Sequence, residues 1–421
     1  MNDYLIQAIR QHSEPLRNFY DLEPLIQQIN QQKYVLLGES SHGTSEYYKI
    51  RTEISKRLIT EKGYTFIAVE GDWPACQEVN RYIKGFDQEH TNARQVLTTF
   101  DRWPTWMWAN EEMVDFIEWL RTYNQTQPSR AQIGFYGLDV YSLWESMDEI
   151  LSYLKQVNSP DFSTAQKAFT CFEPFKREPA RYGVSASFYS EGCQEEVLKL
   201  LTELSANKNK YVHSEESSLN LEVNTLITTN AENYYRTMVI NGNESWNIRD
   251  RHMADVLNKI STYYGDSAKG IVWEHNTHVG DARATDMVRE EIVNVGEILR
   301  EQEGQETIYI VGFGTHRGTV IAAKAWGINF ERMMAPAANE GSWEDLMHKA
   351  GAYDKLIIFN EANRDEFKTQ IGHRAIGVVY NPRHEHYENY VPSILSDRYD
   401  AFIYVNSSNA LHPLIIERVL M

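Results

Sequence analysis

Two short apolar runs, residues 34–37 and 66–69, flank a stretch in which Ile50, Ile54 and Leu58 recur four apart. Side chains spaced by four share one face of a helix, whereas a short unbroken apolar run bounded by turn residues reads as a strand buried on both faces. Strand, helix, strand at this spacing is a βαβ unit, which imposes parallel pairing through a right-handed crossover. Both strands therefore deliver their carboxyl ends to the same sheet edge. In open α/β sheets ligands and catalytic groups collect at that edge.

The first strand, 34–39, runs into Gly38-Glu39-Ser40-Ser41-His42-Gly43, and the second, 66–70, ends in Glu70. A third, 133–138, ends in Asp139; a fourth, 270–273, is followed by Glu274-His275-Asn276-Thr277-His278. Further apolar runs at 307–311, 356–360, 375–380 and 401–405 complete a set of eight strands. Helices are expected over 3–29, 76–82 and 110–123, with Gly63 ending the one after the first strand. No convincing strand falls between 141 and 260, which is polar and rich in Glu and Lys. The expected fold is α/β, with a mixed, mainly parallel central sheet flanked by helices and an all-helical insertion. Residues 1–140 and 261–421 would form the catalytic core and 141–260 a helical subdomain covering the active-site cleft.

A histidine near its ordinary pKa takes a proton from water, and a neighbouring carboxylate orients the ring and stabilises the imidazolium. Glu39 and His42 have the right spacing and place for this. Glu70 at the same edge adds a second carboxylate for acid–base work. His275 and His278 could assist a leaving oxygen or bind a metal. Ser40 and Ser41 read as caps of the following helix. Arg51 lies nine residues beyond His42 on that helix, a spacing that does not bring it to the ring. Arg249, Asp250 and Arg251 form a charged cluster that reads as a solvated helix face. No GxSxG elbow, HExxH pair or dinucleotide fingerprint is present, and His384-Glu385-His386 reads as a charged surface loop.

A net charge of −18 repels phosphate backbones, so nucleic-acid and acidic-membrane binding are not expected. The same surface mildly attracts a cationic substrate. The three cysteines, Cys76, Cys171 and Cys193, show no CxxC spacing and no even framework, which indicates neither a disulfide scaffold nor a zinc ribbon. Residues 1–10 carry charges and lack the apolar core of a signal peptide, and no stretch has the length of a membrane span, so the expected location is cytoplasmic.

Five motifs together, GESSHGTSEYYKIR at 38–51, AVEGDWP at 68–74, FYGLDVYS at 135–142, NIRDRHMAD at 247–255 and WEHNTHVGDAR at 273–283, resemble the erythromycin esterase family of bacterial hydrolases, which includes antibiotic-resistance enzymes and many members that are not. The carboxyl-terminal stretch 381–405 is similar to that family as well. The resemblance implies hydrolysis of a macrolide lactone ester by activated water, with no covalent enzyme intermediate and no cofactor or metal. It implies that His42 activates the water, that Glu39 and Glu70 tune and orient it, and that Arg51 belongs to the catalytic set. His275 or His278 would support the leaving oxygen. Arg249, Arg251 and Asp139 are the candidate substrate-binding residues, and the partner is a small-molecule ester, extending to a cationic macrolide. Two other readings stand beside it: a metal-dependent hydrolase using Glu39, His42, Glu70 and His275 or His278 as ligands, and a haem-like ligand-binding protein whose pocket is lined by the abundant Trp and Tyr.

Overall fold

A computed structural model of the chain describes residues 2–189, 192–206 and 215–414. Its strands are β1 (Ser13–Pro15), β2 (Tyr34–Leu37), β3 (Phe66–Asp72), β4 (Gly134–Asp139), β5 (Gly270–Trp273), β6 (Ile308–Ala323), β7 (Phe330–Ala335), β8 (Lys355–Ile358), β9 (Gln370–Arg374), β10 (Tyr390–Ile394) and β11 (Ala401–Ser408). Nine of them form one sheet in the order β1-β8-β11-β6-β2-β5-β3-β4, with β7 paired to β6 off that path. The strands from β11 through β4 in that order run parallel. β8, β1 and β7 are antiparallel to their neighbours. The fold is thus mixed α/β with a largely parallel central sheet and an extra helical region.

Alternation along each strand sends side chains to two cores. Tyr34, Leu36, Phe66, Ala68 and Val272 join the cluster on one face of the sheet. Val35, Leu37, Ile67, Val69 and Trp273 join the cluster on the other. Both faces are covered, which is why these strands read as unbroken apolar runs. The first cluster continues into helices Leu143–Gln156, Phe162–Phe169, Pro179–Tyr189, Gln194–Ala206, Glu215–Met238 and Gly242–Tyr264, while α1 (Ser45–Lys62) packs on the opposite face and ends at Gly63 with φ +72°. Here α2 denotes Gly242–Tyr264, whose first turn is capped by Asn241 accepting from the Glu244 N–H. Among the described residues no helix is long and apolar enough to cross a membrane.

Four expectations are corrected. The stretch 3–29 is not one helix: Asn2–His12 is followed by β1, which pairs with β8 before the helix Glu23–Gln28 begins. Residues 375–380 form no strand: Ile376 and Val379 make single bridges to Ser41 and Ala323, and Ile376 and Tyr380 pack on β6 and β7. Ser40 and Ser41 do not cap α1, whose N-cap is Thr44; their hydroxyls bond to Tyr47 and Thr44 instead. Finally, Cys171 and Cys193 are joined by a disulfide across 22 residues, leaving Cys76 alone as a buried thiol. An odd cysteine count concealed that pair, and nothing about its spacing marked it.

Candidate active site

Because β2, β5, β3 and β4 are consecutive neighbours running the same way, their carboxyl ends set Glu39, His275, Glu70 and Asp139 along one edge. Gly38 is required there: a Cβ on it would meet the Asn276 carboxamide at 2.1 Å. The close approach lets the Asn276 N–H donate to the Glu39 carbonyl over 2.8 Å, locking the β2 end to the start of helix α3 (Asn276–Val279).

His42 donates through Nδ1 to Glu39 Oε1 at 2.9 Å, since a carboxylate only accepts, and this leaves Nε2 as the basic nitrogen. The other oxygen of Glu39 accepts from Arg51 Nη2 at 2.6 Å. The Arg51 guanidinium is buried between the rings of Tyr48 and Trp273, 4.6 Å from each. Burial works against the charged His42, but the nearby Glu70 carboxylate and the bond to Glu39 outweigh it and raise the His42 pKa above its ordinary value.

Glu70 accepts from Arg249 Nη2 at 2.8 Å through one oxygen and from the His275 backbone N–H at 2.8 Å through the other. Burial opposes its charge, yet His278, His42 and Arg249 around it hold its pKa well below the carboxylate range. Arg249 also forks onto Asp139, Nε to Oδ1 at 2.9 Å and Nη2 to Oδ2 at 2.6 Å. Its third nitrogen reaches His278 Nε2 at 2.9 Å. A guanidinium only donates, so that imidazole nitrogen accepts, and His278 carries its proton on Nδ1, facing Asp250 at 2.9 Å. Trp246 stacks on the His278 ring at 4.5 Å. Both nitrogens of His278 are therefore engaged by the protein.

His275 is different. Its Nδ1 accepts from the Thr277 N–H as the N-cap of α3, which places the proton on Nε2, and that buried nitrogen has no partner among the described residues. Burial and the adjacent His42 ring, 4.8 Å away, press its pKa well below the ordinary value, so it is a neutral donor.

His42, Glu70, Asp139, Arg249, His275 and His278 all line one cleft of about 350 Å³. Glu39 and Arg51 stand behind His42. Arg251 is not brought in: two residues beyond Arg249 it lies about 200° round the helix, where it is exposed and faces Glu244 at 3.7 Å. Conversely, Arg249 and Asp250 are buried, not a solvated face. Trp246 and Asp250 gained their roles from the i, i+3, i+4 stripe of α2, the signal that could have found them. Among the described residues no three His, Cys, Asp or Glu side chains are arranged to hold a metal ion. The cation bridging Glu70 and Asp139 is Arg249 itself. None of the described cleft-lining residues is Ser or Cys.

Glu274 was also overlooked. It is 1% exposed, and among the described residues neither carboxyl oxygen has a hydrogen-bond partner. Burial, reinforced by the charges of Glu70 and Asp250, pushes its pKa far above the carboxylate range. Such a group contributes stability that is complete below the pKa of the unfolded chain, about 4.3, and is lost as pH rises through the folded value. Glu274→Gln cannot ionise, so its melting temperature relative to wild type is expected to climb steadily as pH is raised from about 5 to 9. A difference that stays flat over that range would show that Glu274 ionises normally.

A family model described as erythromycin esterase matches residues 59–408. Relatives include the type II erythromycin esterase of Escherichia coli, 22% identical over 382 residues covering 84% of this chain and 87% of that protein. Another is the putative hydrolase YbfO of Bacillus subtilis (strain 168), 22% identical over 425 residues, or 94% and 89% of the two chains. Among solved structures, a Bacillus cereus protein superposes with a TM-score of 0.82 at 19% identity, covering 99% and 100% of the chains. A mutant erythromycin esterase in its open conformation gives 0.70 at 16%, covering 95% and 96%. At these identities the solved structures show a common fold.

Proposed function

The chain belongs to the erythromycin esterase family, and from that premise we propose that it hydrolyses a carboxylic ester, a macrolide lactone or a related one, with His42-activated water. The observation that carries this reading is a buried Glu39–His42 pair beside a cleft with no Ser or Cys in its described lining. His42 Nε2 accepts a proton from water as the water oxygen bonds to the ester carbon. The carbonyl oxygen becomes an oxyanion, and His275 Nε2–H, a donor without a partner among the described residues, is the group to stabilise it. Collapse breaks the bond to the alcohol oxygen, and the His42 imidazolium returns its proton to that oxygen. One water is consumed and no bond to the protein forms.

In this scheme Glu39 and Arg51 orient and tune His42, and Glu70 holds His275 through its backbone while adding negative potential. His278, with both nitrogens engaged, positions Arg249 and does not meet the substrate's oxygen. Residues 141–260 are assigned the part of a wall that selects substrate, through Tyr141, Trp246 and Arg249.

The test is mass spectrometry of a panel of esters and lactones, macrolides included, incubated with the protein in oxygen-18 water. Expected is a gain of one water with the label in the new carboxyl group and no adduct on the intact protein. A protein-bound acyl group accumulating during turnover would overturn it. His275→Gln is expected to lower kcat about 10²-fold, the effect of removing one oxyanion donor, while His278→Gln reduces stability more than it changes the chemical step.

A further inference from the structure

A neutral imidazole carries its proton on either nitrogen, and only one of the two tautomers of His275 offers a donor to the cleft. Which form exists is decided by the bond made at the other nitrogen. Two groups of Thr277 face His275 Nδ1: the backbone N–H at 3.3 Å and the hydroxyl oxygen at 2.8 Å. A hydroxyl can turn its proton either way, but an N–H can only donate, so Nδ1 accepts from the one and hence from the other. The backbone bond is just beyond the usual length, whereas the hydroxyl bond is well within it, so the hydroxyl is the stronger donor.

The backbone around Thr277 holds the hydroxyl in place. On one side the Asn276 N–H donates to the Glu39 carbonyl, and on the other the Thr277 carbonyl accepts from Asn294 Nδ2 at 2.8 Å. Asn294 is itself fixed as the N-cap of the helix Val295–Glu303. A branched Cβ leaves χ1 little freedom beyond that. Two donors directed at Nδ1 also oppose a second proton there, which suits a ring whose centroid lies 4.8 Å from that of His42. Thr277 lines the cleft, yet the steps from water to product give it no task.

We propose that Thr277 is a positioning residue: its hydroxyl donates to His275 Nδ1 and so confines that ring to the Nε2–H tautomer, the form that presents a donor to the reacting oxygen. The inference rests on the hydrolase reading for what the donor does, but the tautomer is set whether or not an ester is cut. It requires a hydroxyl at position 277, not merely a side chain of that size and shape.

The test is Thr277→Val, which keeps the branching and the backbone N–H and removes the hydroxyl, with Thr277→Ser as the rescue. In protein carrying nitrogen-15 histidine, the His275 signals are assigned by their loss in His275→Gln. Wild type is expected to show a protonated Nε2 and an unprotonated Nδ1, with nitrogen shifts far apart. In Thr277→Val the two shifts draw together as the second tautomer is populated, and Thr277→Ala behaves in the same way. kcat for p-nitrophenyl butyrate falls about threefold to tenfold, the worth of one hydrogen bond. KM stays where it was, the mark of an interaction made only in the transition state. Thr277→Ser restores most of both readouts. A wild-type proton on Nδ1, or His275 shifts that do not move in folded Thr277→Val or Thr277→Ala, overturns the assignment. Failure of the wild-type protein to cleave the ester would count against the hydrolase reading alone, and the nitrogen shifts would still decide for or against Thr277.

Discussion

Replacing His42 with alanine is expected to cut kcat/KM by about 10²–10⁴-fold, the usual worth of a positioned general base, with little change in fold. The ring makes one side-chain hydrogen bond, to Glu39, and Arg51 still pairs with that carboxylate in its absence. The pH dependence carries the sharper signature. Only neutral His42 can accept a proton, so the rate rises with pH through its pKa, and that pKa lies above the ordinary 6.5 because Glu70 and Glu39 favour the imidazolium. Glu39→Gln removes one of those two charges, so the acid limb of the profile is expected to move to lower pH even as the maximum falls. Steady-state kinetics across pH check both. Undiminished hydrolysis by His42→Ala, or an acid limb that stays put in Glu39→Gln, would remove His42 from the role of base.

The second large effect is on stability. Arg249 binds Glu70, Asp139 and His278 at once from a buried position at the cleft floor. Arg249→Met leaves two buried carboxylates without their counter-charge, and breaking such a pair costs about 3–5 kcal/mol. Lysine supplies charge without the fork, so Arg249→Lys recovers only part of the loss. Restoring neutrality differently, with Arg249→Met combined with Asp139→Asn, is expected to be less destabilised than the sum of the single changes. Urea unfolding of these three variants and of Asp139→Asn alone measures this. The sign with pH follows from Glu70: its lowered pKa gives stability that is present above the unfolded carboxylate pKa and is lost as pH falls through the folded one. Without Arg249 that folded pKa rises, so acid unfolding should begin at a higher pH. A loss below about 1 kcal/mol would mean the charges are solvated.

Much of this edge was legible in the sequence because strand ends announce themselves. Glu39, Glu70, Asp139 and His275 each follow an apolar run, and parallel pairing carries all four to one side of the sheet. What could not be read is what depends on distant partners. Arg51 meets Glu39 only once α1 is packed against the end of β2, which residue spacing does not show. Arg249 and Asp250 resemble any charged helix face until β4 and α3 are packed against them. The same holds for β1 and β7 at the margins of the sheet and for β9 and β10, which pair with each other apart from it: they are short or polar, and their pairing is decided by neighbours, while the apolar run at 375–380 finds only isolated bridges. Glu274 escaped notice for the opposite reason, since nothing in a sequence marks a carboxyl group that has no partner.

The register of β2 has a bearing on how the molecule is made. Tyr34 pairs with Gly270 on one side and with Ile308 on the other, so the innermost strand of the sheet acquires both neighbours only after most of the chain has been synthesised. Until then the amino-terminal segment emerging from the ribosome carries Val35, Leu36 and Leu37 without the strands that cover them, and β3 must wait for β5 in the same way. Non-local pairing of this kind is slow and leaves sticky strand edges open in the interim. The pair Glu39–His42, near the start of the chain, consequently cannot meet His275 until β5 has been made, and a product terminated before β5 carries Glu39 and His42 without it.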